Sequence, residues 1–484
     1  MTRQLPERPN LEHLRDEAKA LLLSLKNGSA AVDFPPPYKL SHAQVALARQ
    51  YGFDSWSKLK RHVEGYADRQ SVFFAAVRAG DRERVQALLA SDPSLVSALD
   101  KDSFDAPAIN LAASRNDIPM IDLLLDHGAD INARSKWWAG GFGALDFANE
   151  EVSKHLLKRG ASLTAHAAAR LGMAKELKQI IARDPAVVHQ RGGDGQMPLH
   201  FAANPEIVDI LVDAGADLEA RDIDHEGTPA QFKVEDEAVL RRMLERGAIP
   251  DVFMAARLGD AEMLERMLNE DPGALSRATG EPGNPRVPVA PGAHIYTYTL
   301  GFVMLFQVAD RFGHAHIYRL IYYRASTEQR LLMSCWRGDE DIVRQLVADH
   351  PGLVESIAPA YQKLLPLAAW NHNTKAVRLM LEIGFDPNVR GGEESTAIDR
   401  AAFHGFDDVI EAILPYKPDL SVMNVYGGTP LSCCLYGSMH SWRKDGDFAR
   451  SARLLVEAGA PLPPKAAESP EVQAALAKLV PNIG

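Results

Sequence analysis

One recurring pattern most limits how this chain of 484 residues can fold. It consists of a motif of small residues, an apolar helix and a residue that ends the helix. A short motif led by alanine or cysteine and containing glycine recurs in four segments, Ala75–Asp81, Ala168–Gly172, Ala255–Asp260 and Cys335–Asp339. Apolar residues spaced three and four apart follow each motif and predict a helix with one buried face, and a proline then ends that helix. A chain that repeats one helical unit is predicted to stack its units side by side.

A second kind of helix ending alternates with the proline. It places glycine just beyond a leucine-rich helix, where a left-handed C-cap is needed, at Gly128, Gly160, Gly215, Gly247, Gly384 and Gly459. Intervals of 32 residues recur between successive glycines of this set. Thr228-Pro229 and Thr429-Pro430 predict helix starts, because threonine is a good N-cap and proline fits the first helical position.

These motifs together resemble those of the ankyrin-repeat proteins. The segment Met197-Pro198-Leu199-His200, the Ala-Ala-x-x-Gly motifs and the Gly-Ala-Asp endings are degenerate copies of that family's signatures. The resemblance runs from about residue 71 to 463, which is room for roughly 12 units of about 33 residues. It implies an all-α solenoid of helix-turn-helix units, and the helical segment before the repeats is similar to one found in many bacterial ankyrin-like proteins.

The chain is predicted to contain five segments, one of which is an insertion, and a second insertion lies within the second repeat array. The segments are an N-terminal helical cap at 1–66, a first repeat array at 71–275, a Pro/Gly-rich insertion and re-entry at 276–312, a second array at 313–463 and a helical tail at 464–484. A β-like alternation, His294–Tyr298, follows the prolines of the first insertion. The second insertion, Met439–Asp447, lies between the two helices of the last full unit.

Composition and missing motifs exclude several classes of function. The formal charge of -11 argues against nucleic-acid binding, which needs cationic surface. Three cysteines cannot form a disulfide framework, so we expect buried thiols and a cytoplasmic protein. The longest central apolar run, Leu300–Phe306, is too short for a membrane span. Metal-ligand and phosphate-loop spacings are absent, so we expect no metal and no cofactor.

The candidate binding residues come from the family resemblance. In the family, the two variable residues of Ala-Ala-x-x-Gly lie at the exposed end of the first helix, on the concave binding face. Here they are largely arginine in the first half of the chain and aromatic in the second, where Trp336, Trp370 and Phe403 are spaced by 34 and 33 residues. The predicted ligand-binding residues are Arg257, Tyr296, Tyr298, Trp336, Arg337, Trp370, Asn371, His372, Phe403, Tyr436 and Trp442.

Two interpretations of this aromatic stripe stay open. The rings either pack repeat against repeat or form an exposed surface that recognises a partner. The first functional hypothesis is a binding protein that grips a protein partner in its concave groove. The alternative is a hydrolase or lyase that acts on a small molecule in a pocket closed by residues 276–298 and 439–447. Its candidate acid-base residues are His404, His440, Asp399 and Asp447.

Overall fold

The computed structural model describes residues 3, 11–29, 32, 34–279, 294–301, 303–443, 445–463 and 469–479. These residues fall into two compact units, the first ending at Ile249 and the second beginning at Pro250. Helices dominate both units. The described strands are one antiparallel pair in the first unit, β1 (Leu99–Asp100) and β2 (Ala106–Pro107). The predicted all-α repeat fold is therefore confirmed.

The first unit contains twelve α-helices among its described residues. They are α1 (Leu11–Lys26), α2 (Leu40–Gln50), α3 (Trp56–Ala79), α4 (Arg82–Ser91), α5 (Ala108–Ser114), α6 (Ile118–Asp126), α7 (Glu150–Lys158), α8 (Ala165–Arg170), α9 (Ala174–Arg183), α10 (Pro205–Asp213), α11 (Pro229–Phe232) and α12 (Glu237–Glu245). Short 3-10 turns such as Pro198–Phe201 replace some first helices of the repeats.

The second unit contains sixteen α-helices among its described residues. They are α13 (Val252–Leu258), α14 (Ala261–Glu270), α15 (Ile295–Thr299), α16 (Leu305–Arg311), α17 (Ala315–Arg324), α18 (Thr327–Arg337), α19 (Glu340–Asp349), α20 (Leu353–Ser356), α21 (Pro359–Gln362), α22 (Leu364–Trp370), α23 (Thr374–Glu382), α24 (Ala397–His404), α25 (Asp407–Ile413), α26 (Pro430–His440), α27 (Phe448–Glu457) and α28 (Pro470–Leu479).

The helices before the repeats form a small core of their own. Leu14, Leu47 and Leu59, from α1, α2 and α3, are buried against one another. Ser55 begins α3 by accepting a hydrogen bond from the backbone N–H of Lys58. α3 then runs without a break into the first repeat, so the predicted boundary at 66–71 lies inside a helix.

Each repeat packs a short helix rich in small residues against a longer amphipathic helix. In the pair α5 and α6, Ala112 and Ala113 are fully buried beside Ile121 and Leu124. Alanine at these positions lets the helices approach closely and bury the leucines of the second helix. The predicted left-handed glycine follows α6, because Gly128 has a φ of +90°.

The β-like interpretation of His294–Tyr298 is wrong. These residues begin helix α15, and the Nδ1 atom of His294 caps it by accepting from the backbone N–H of Tyr296. The Tyr296 hydroxyl donates to the Asp251 carboxylate at 2.7 Å in the interior of the second unit. Five residues are too few for an alternating pattern to distinguish a strand from a helix. Residues 280–293 of the first insertion lie outside the described residues.

A helix that crosses a membrane must be both long and apolar. Among the residues that the structure describes, we find no helix that combines the length and the apolar character needed to cross a bilayer.

Leu124 offers a test of how much the packing between repeats stabilises the first unit. It is fully buried, so Leu124→Ala is expected to lower the free energy of unfolding by about 2–5 kcal/mol, the usual cost of a cavity at a core leucine. Leu23→Ala, at a leucine that is 62% exposed, is the matched control and should change it by less than about 0.5 kcal/mol. Urea denaturation measures both, and equal effects would contradict the packing described here.

Candidate functional site

Two rings of the predicted stripe and the predicted binding residue Tyr436 meet at the ends of three neighbouring helices. α24 packs between α22 and α26, and Trp370, Phe403 and Tyr436 lie at or near the C-terminal ends of these helices. The Trp370 and Phe403 rings stack at 6.0 Å with an angle of 14° between their planes. The Phe403 and Tyr436 rings stack at 6.3 Å and 28°. Spacing by one repeat therefore places these side chains ring to ring.

The second insertion adds a fourth ring to this stack. The Trp442 ring lies 5.5 Å from Trp370 and 5.9 Å from Phe403, between ring centroids, and crosses both rings steeply. Trp442 nevertheless remains 63% exposed. We call Trp370, Phe403, Tyr436 and Trp442 the aromatic cluster. Trp336, the other member of the predicted stripe, packs against Phe306 with the two centroids 6.3 Å apart.

Ion pairs and hydrogen bonds of charged groups connect the described part of the second insertion to the repeats. Arg443 forms two hydrogen bonds with the Asp445 carboxylate, at 2.9 and 2.6 Å, and its guanidinium lies over the Phe406 ring. Asp445 also accepts from His372 at 3.3 Å, and His372 contacts Asp408 at 2.8 Å. The Arg443 guanidinium holds the pKa of Asp445 far below its ordinary value, so this carboxylate remains charged at neutral pH.

A glycine allows the returning chain to lie directly on α24. A Cβ atom at Gly446 would collide with the carbonyl oxygen of His404. The backbone of the insertion therefore approaches the C-terminal end of α24 more closely than any side chain would permit.

His404 is buried beneath Trp442 and is 1% exposed. Its Nδ1 atom shares a hydrogen bond of 2.9 Å with the Ser441 hydroxyl, and its ring centroid lies 5.0 Å from that of Trp442. Burial, followed by the nearby Arg443 charge, lowers the pKa of His404 to about 4. The imidazole is therefore neutral at pH 7 and stabilises the insertion as a hydrogen-bonding core residue.

A cavity of about 790 Å³ lies beside the aromatic cluster and is half open to solvent. Its lining residues are Trp370, Glu393, Ser395, Asp399, Arg400, Phe403, Asn424, Tyr426, Gly427, Gly428, Ser432, Cys433, Tyr436 and Trp442. A smaller cavity of about 240 Å³ shares Trp370 and Arg400 with it and extends towards Ala278 and Met304. The aromatic cluster thus forms the apolar wall of a concave site.

Arg400 lies at the junction of the two cavities. Its guanidinium stands 4.7 Å from the centre of the Trp370 ring, pairs with Glu393 at 3.0 Å and donates to the Gly392 carbonyl. The Tyr426 hydroxyl donates to the same Glu393 carboxylate at 3.3 Å. Sequence reasoning missed Arg400, Glu393 and Tyr426. One signal was present, since Arg400 is three residues before Phe403 and shares its helix face.

Asp399 provides a carboxylate at the buried side of the cavity and is 1% exposed. Its Oδ2 atom accepts from the backbone N–H and the hydroxyl of Thr396, both at 2.8 Å. Its Oδ1 atom is buried and has no hydrogen-bond partner in the described part of the chain. Burial raises the pKa of Asp399, because the charged form is poorly solvated there.

The other two acid-base candidates have different partners. The His440 ring is exposed and stacks on Tyr436 with 4.1 Å between centroids. Asp447 begins helix α27 by accepting from the backbone N–H of Arg450 at 2.8 Å. The alternative hypothesis groups these residues with His404 and Asp399, whereas the structure gives each of the four a separate structural setting.

The remaining predicted binding residues are not part of the described lining of the larger cavity. Arg257 is buried with its guanidinium 4.1 Å from the centre of the Phe312 ring, whereas Tyr298 is 67% exposed. Arg337 lies over the ring of Tyr318. Asn371 is exposed, and its side chain donates to a carbonyl of its own helix. Tyr296 belongs to the core, as described above, and His372 to the ion pairs that fasten the insertion.

The three cysteines are free thiols, and Cys335 and Cys434 are buried as expected, whereas Cys433 is only half-buried. Cys433 lines the larger cavity, and its sulfur accepts a hydrogen bond from the Asn424 amide at 3.3 Å. Burial raises the pKa of Cys433 and of Cys335 to about 12. A protonated Cys433 is a poor nucleophile at neutral pH and contributes a weakly polar surface instead.

One group of side chains in the first unit has the composition of a metal site. Ligand atoms of Asp194, Asp224 and His225 lie within 4.8 Å of one another, although the sequence predicts no metal. Both ring nitrogens of His225 already face carboxylates, Nδ1 that of Asp222 at 3.0 Å and Nε2 that of Asp224 at 3.5 Å. Burial raises the pKa of Asp194 to about 6.

Gly446→Ala tests whether the close backbone approach holds the insertion in place. A methyl group there must push the chain away from the His404 carbonyl, so we expect trypsin to cleave after Arg443 several times faster. Gly428→Ala is the control, because a Cβ at Gly428 makes only ordinary contacts. Limited proteolysis followed by mass spectrometry measures the rate, and equal cleavage of both variants would contradict the role of Gly446.

The depressed pKa of His404 predicts a pH dependence of stability. The folded protein resists protonation down to about pH 4, whereas the unfolded chain protonates near pH 6.5. The stability that His404 contributes is therefore complete above pH 6.5 and is lost as the pH falls towards 4, by about 1–2 kcal/mol at pH 5. Urea denaturation should show a smaller loss between pH 7 and 5 in His404→Gln, and identical losses would contradict burial of the neutral ring.

Comparisons with known proteins find ankyrin repeats in part of the chain. The ankyrin repeat family model matches residues 107–136 and 194–223. The rat ankyrin repeat and SAM domain-containing protein 6 is 30% identical over 101 residues, which are 20% of this chain and 11% of that protein. This chain therefore spans only a small part of that relative.

One solved structure is also similar, that of a predatory endopeptidase from Bdellovibrio bacteriovorus in complex with an immunity protein. The match has 20% identity and covers 36% of this chain and 97% of the other, with a TM-score of 0.26. A superposition of that quality supports no argument about function. The family model thus identifies ankyrin repeats at residues 107–136 and 194–223, and the stacked helix pairs described above agree with a repeat fold of this kind.

Proposed function

We propose that the second unit binds a protein partner with the aromatic cluster as its anchor. The observation that supports this most directly is the exposure of large aromatic rings around one cavity. Tyr436 is 57%, Trp442 63% and Tyr426 76% exposed, although all three line the same concave site. Trp and Tyr in this setting are the residue types that dominate binding energy at protein interfaces.

The arrangement of polarity around the cavity also fits a protein interface. Half-buried Trp370 and Phe403 form an apolar floor, and the paired charges of Glu393 and Arg400 lie at the edge. Interfaces commonly have an apolar centre and a hydrated polar rim. Covering the exposed rings removes apolar surface from water, which contributes about 25 cal/mol for each Å².

The rings are held in position before any partner arrives. Phe403 is stacked between Trp370 and Tyr436, and Trp442 is fastened through the contacts of Arg443 and Asp445. A surface whose side chains are already ordered loses little conformational entropy on binding. Preorganisation of this kind favours recognition over simple packing of exposed rings.

The acid-base alternative receives less support from the same residues. His404 is neutral, buried and hydrogen-bonded to Ser441, and Asp447 is occupied as the N-cap of α27. General acid-base catalysis needs groups that can reach a substrate and exchange protons near the working pH. A binding role therefore accounts for more of the observed geometry than a hydrolase or lyase does.

Selection of peptide ligands tests the proposed function. A random-peptide display library is panned against the full chain, and the affinities of enriched peptides are measured by fluorescence anisotropy. Tyr436→Ala is expected to weaken binding about thirtyfold, the loss typical of an aromatic anchor. Tyr323→Ala is the control, because Tyr323 is also a largely exposed tyrosine, at 74%, but is not among the described residues that line the cavity.

Two results would contradict the proposal. One is a failure to enrich any peptide. The other is a set of peptides that bind the wild type and Tyr436→Ala with the same affinity.

A further inference from the structure

The buried Oδ1 atom of Asp399 is a polar group that the fold leaves without a partner. Asp399 is 1% exposed and lines the larger cavity, and its other carboxylate oxygen is already engaged by Thr396. An unpaired buried carboxylate oxygen costs free energy, which a donor from a bound ligand would recover. The position therefore calls for a hydrogen-bond donor that enters from the cavity.

Among the residues that the structure describes, the charges around Asp399 leave a negative charge without a counterion. Two cations act on Asp399, and both are paired with other carboxylates, Arg400 with Glu393 at 3.0 Å and Arg390 with Glu394 at 3.5 Å. The charges of those two pairs cancel, so ionised Asp399 adds a net charge of minus one at the buried side of the cavity. A cationic ligand would complement this charge, whereas an anionic one would be repelled.

The walls of the cavity suit the same kind of ligand. Trp370, Phe403, Tyr436 and Trp442 present aromatic rings, whose negative faces attract cations. Arg400 already stands over the Trp370 ring, which shows that the cluster accepts a cation. An alkyl chain that carries a charge at its tip would pack against the rings and place its head at Asp399.

The single free oxygen distinguishes between the two basic side chains. A guanidinium binds a carboxylate best through two parallel hydrogen bonds, which need both oxygens. Thr396 occupies Oδ2, so only Oδ1 is available. An ammonium group needs only one acceptor from Asp399 and suits this geometry better.

We infer that the cavity receives a lysine side chain of the protein partner, whose ammonium group donates to Oδ1 of Asp399 while its alkyl chain lies among the rings of the aromatic cluster. This inference rests on the proposed function and specifies the residue type that the partner inserts.

Asp399→Asn is the variant that tests this inference without disturbing the fold. The asparagine side-chain oxygen can still accept from the Thr396 N–H, so the start of α24 remains capped. Because the raised pKa of Asp399 reflects the cost of burying its charge, removal of that charge should increase the urea midpoint at pH 7.5. The increase should disappear as the pH falls and Asp399 becomes protonated. A decrease in the midpoint at pH 7.5 would instead assign Asp399 a structural role and overturn the inference.

Binding is measured with N-acetyl-lysine methylamide titrated into the full chain at pH 7.5. The indole N–H signals of Trp370 and Trp442 report occupancy in NMR spectra. We expect the norleucine analogue, which lacks the ammonium group, to bind at least tenfold more weakly. Asp399→Asn should weaken binding of the lysine probe by the same factor. The control Asp447→Asn, at an exposed N-cap, should bind the probe as tightly as the wild type does.

Several outcomes would overturn the inference. One is equal binding of the lysine and norleucine probes, and another is unchanged binding of the lysine probe by Asp399→Asn. The others are binding of arginine methylamide as tightly as the lysine probe, or binding of choline more tightly than the lysine probe. Peptide selection separates this failure from that of the proposed function. If the selected peptides need Tyr436 but bind Asp399→Asn as tightly as the wild type, the proposed function stands and the lysine contact is rejected.

Discussion

Close contact between the first helices of neighbouring repeats is the constraint on which the rest of the second unit depends. Ala401 and Ala402 of α24 are fully buried, and a Cβ at Gly437 of α26 would collide with the backbone carbonyl of Phe403. Only small residues allow helices to approach this closely. Because they do, side chains one repeat apart meet directly, and Trp370, Phe403 and Tyr436 form a continuous stack instead of separate surface rings.

Burial then decides the chemistry of the polar groups around that stack. His404 is held neutral beneath Trp442, and the Cys433 thiol stays protonated. Asp399 is the exception, since one of its oxygens is satisfied within the fold and the other is not. Natural proteins commonly give up stability at functional sites. The unpaired Oδ1 atom is the feature on which the proposed lysine contact depends.

Much of this architecture could be predicted from the amino-acid sequence, because it depends on local patterns. Apolar spacing identified the helices, glycines marked their ends, and the period of 33–34 residues placed the stripe on neighbouring repeats. The prediction failed at His294–Tyr298, where five residues carried too little periodicity. It also missed Arg400, Glu393 and Tyr426, because an ion pair above a tryptophan ring joins residues from three separate segments.

The sequence by itself determined the repeat fold and the side chains at the variable positions of each repeat, since both follow from periodicity along one chain. The tertiary structure alone decided which of those side chains act together. In the folded chain the second insertion lies against the repeats, so that Trp442 contacts two rings of the stripe. One oxygen of Asp399 is buried without a partner among the described residues. The physical reason is that ring contacts, solvation and hydrogen-bond satisfaction depend on distances between segments that are remote in sequence.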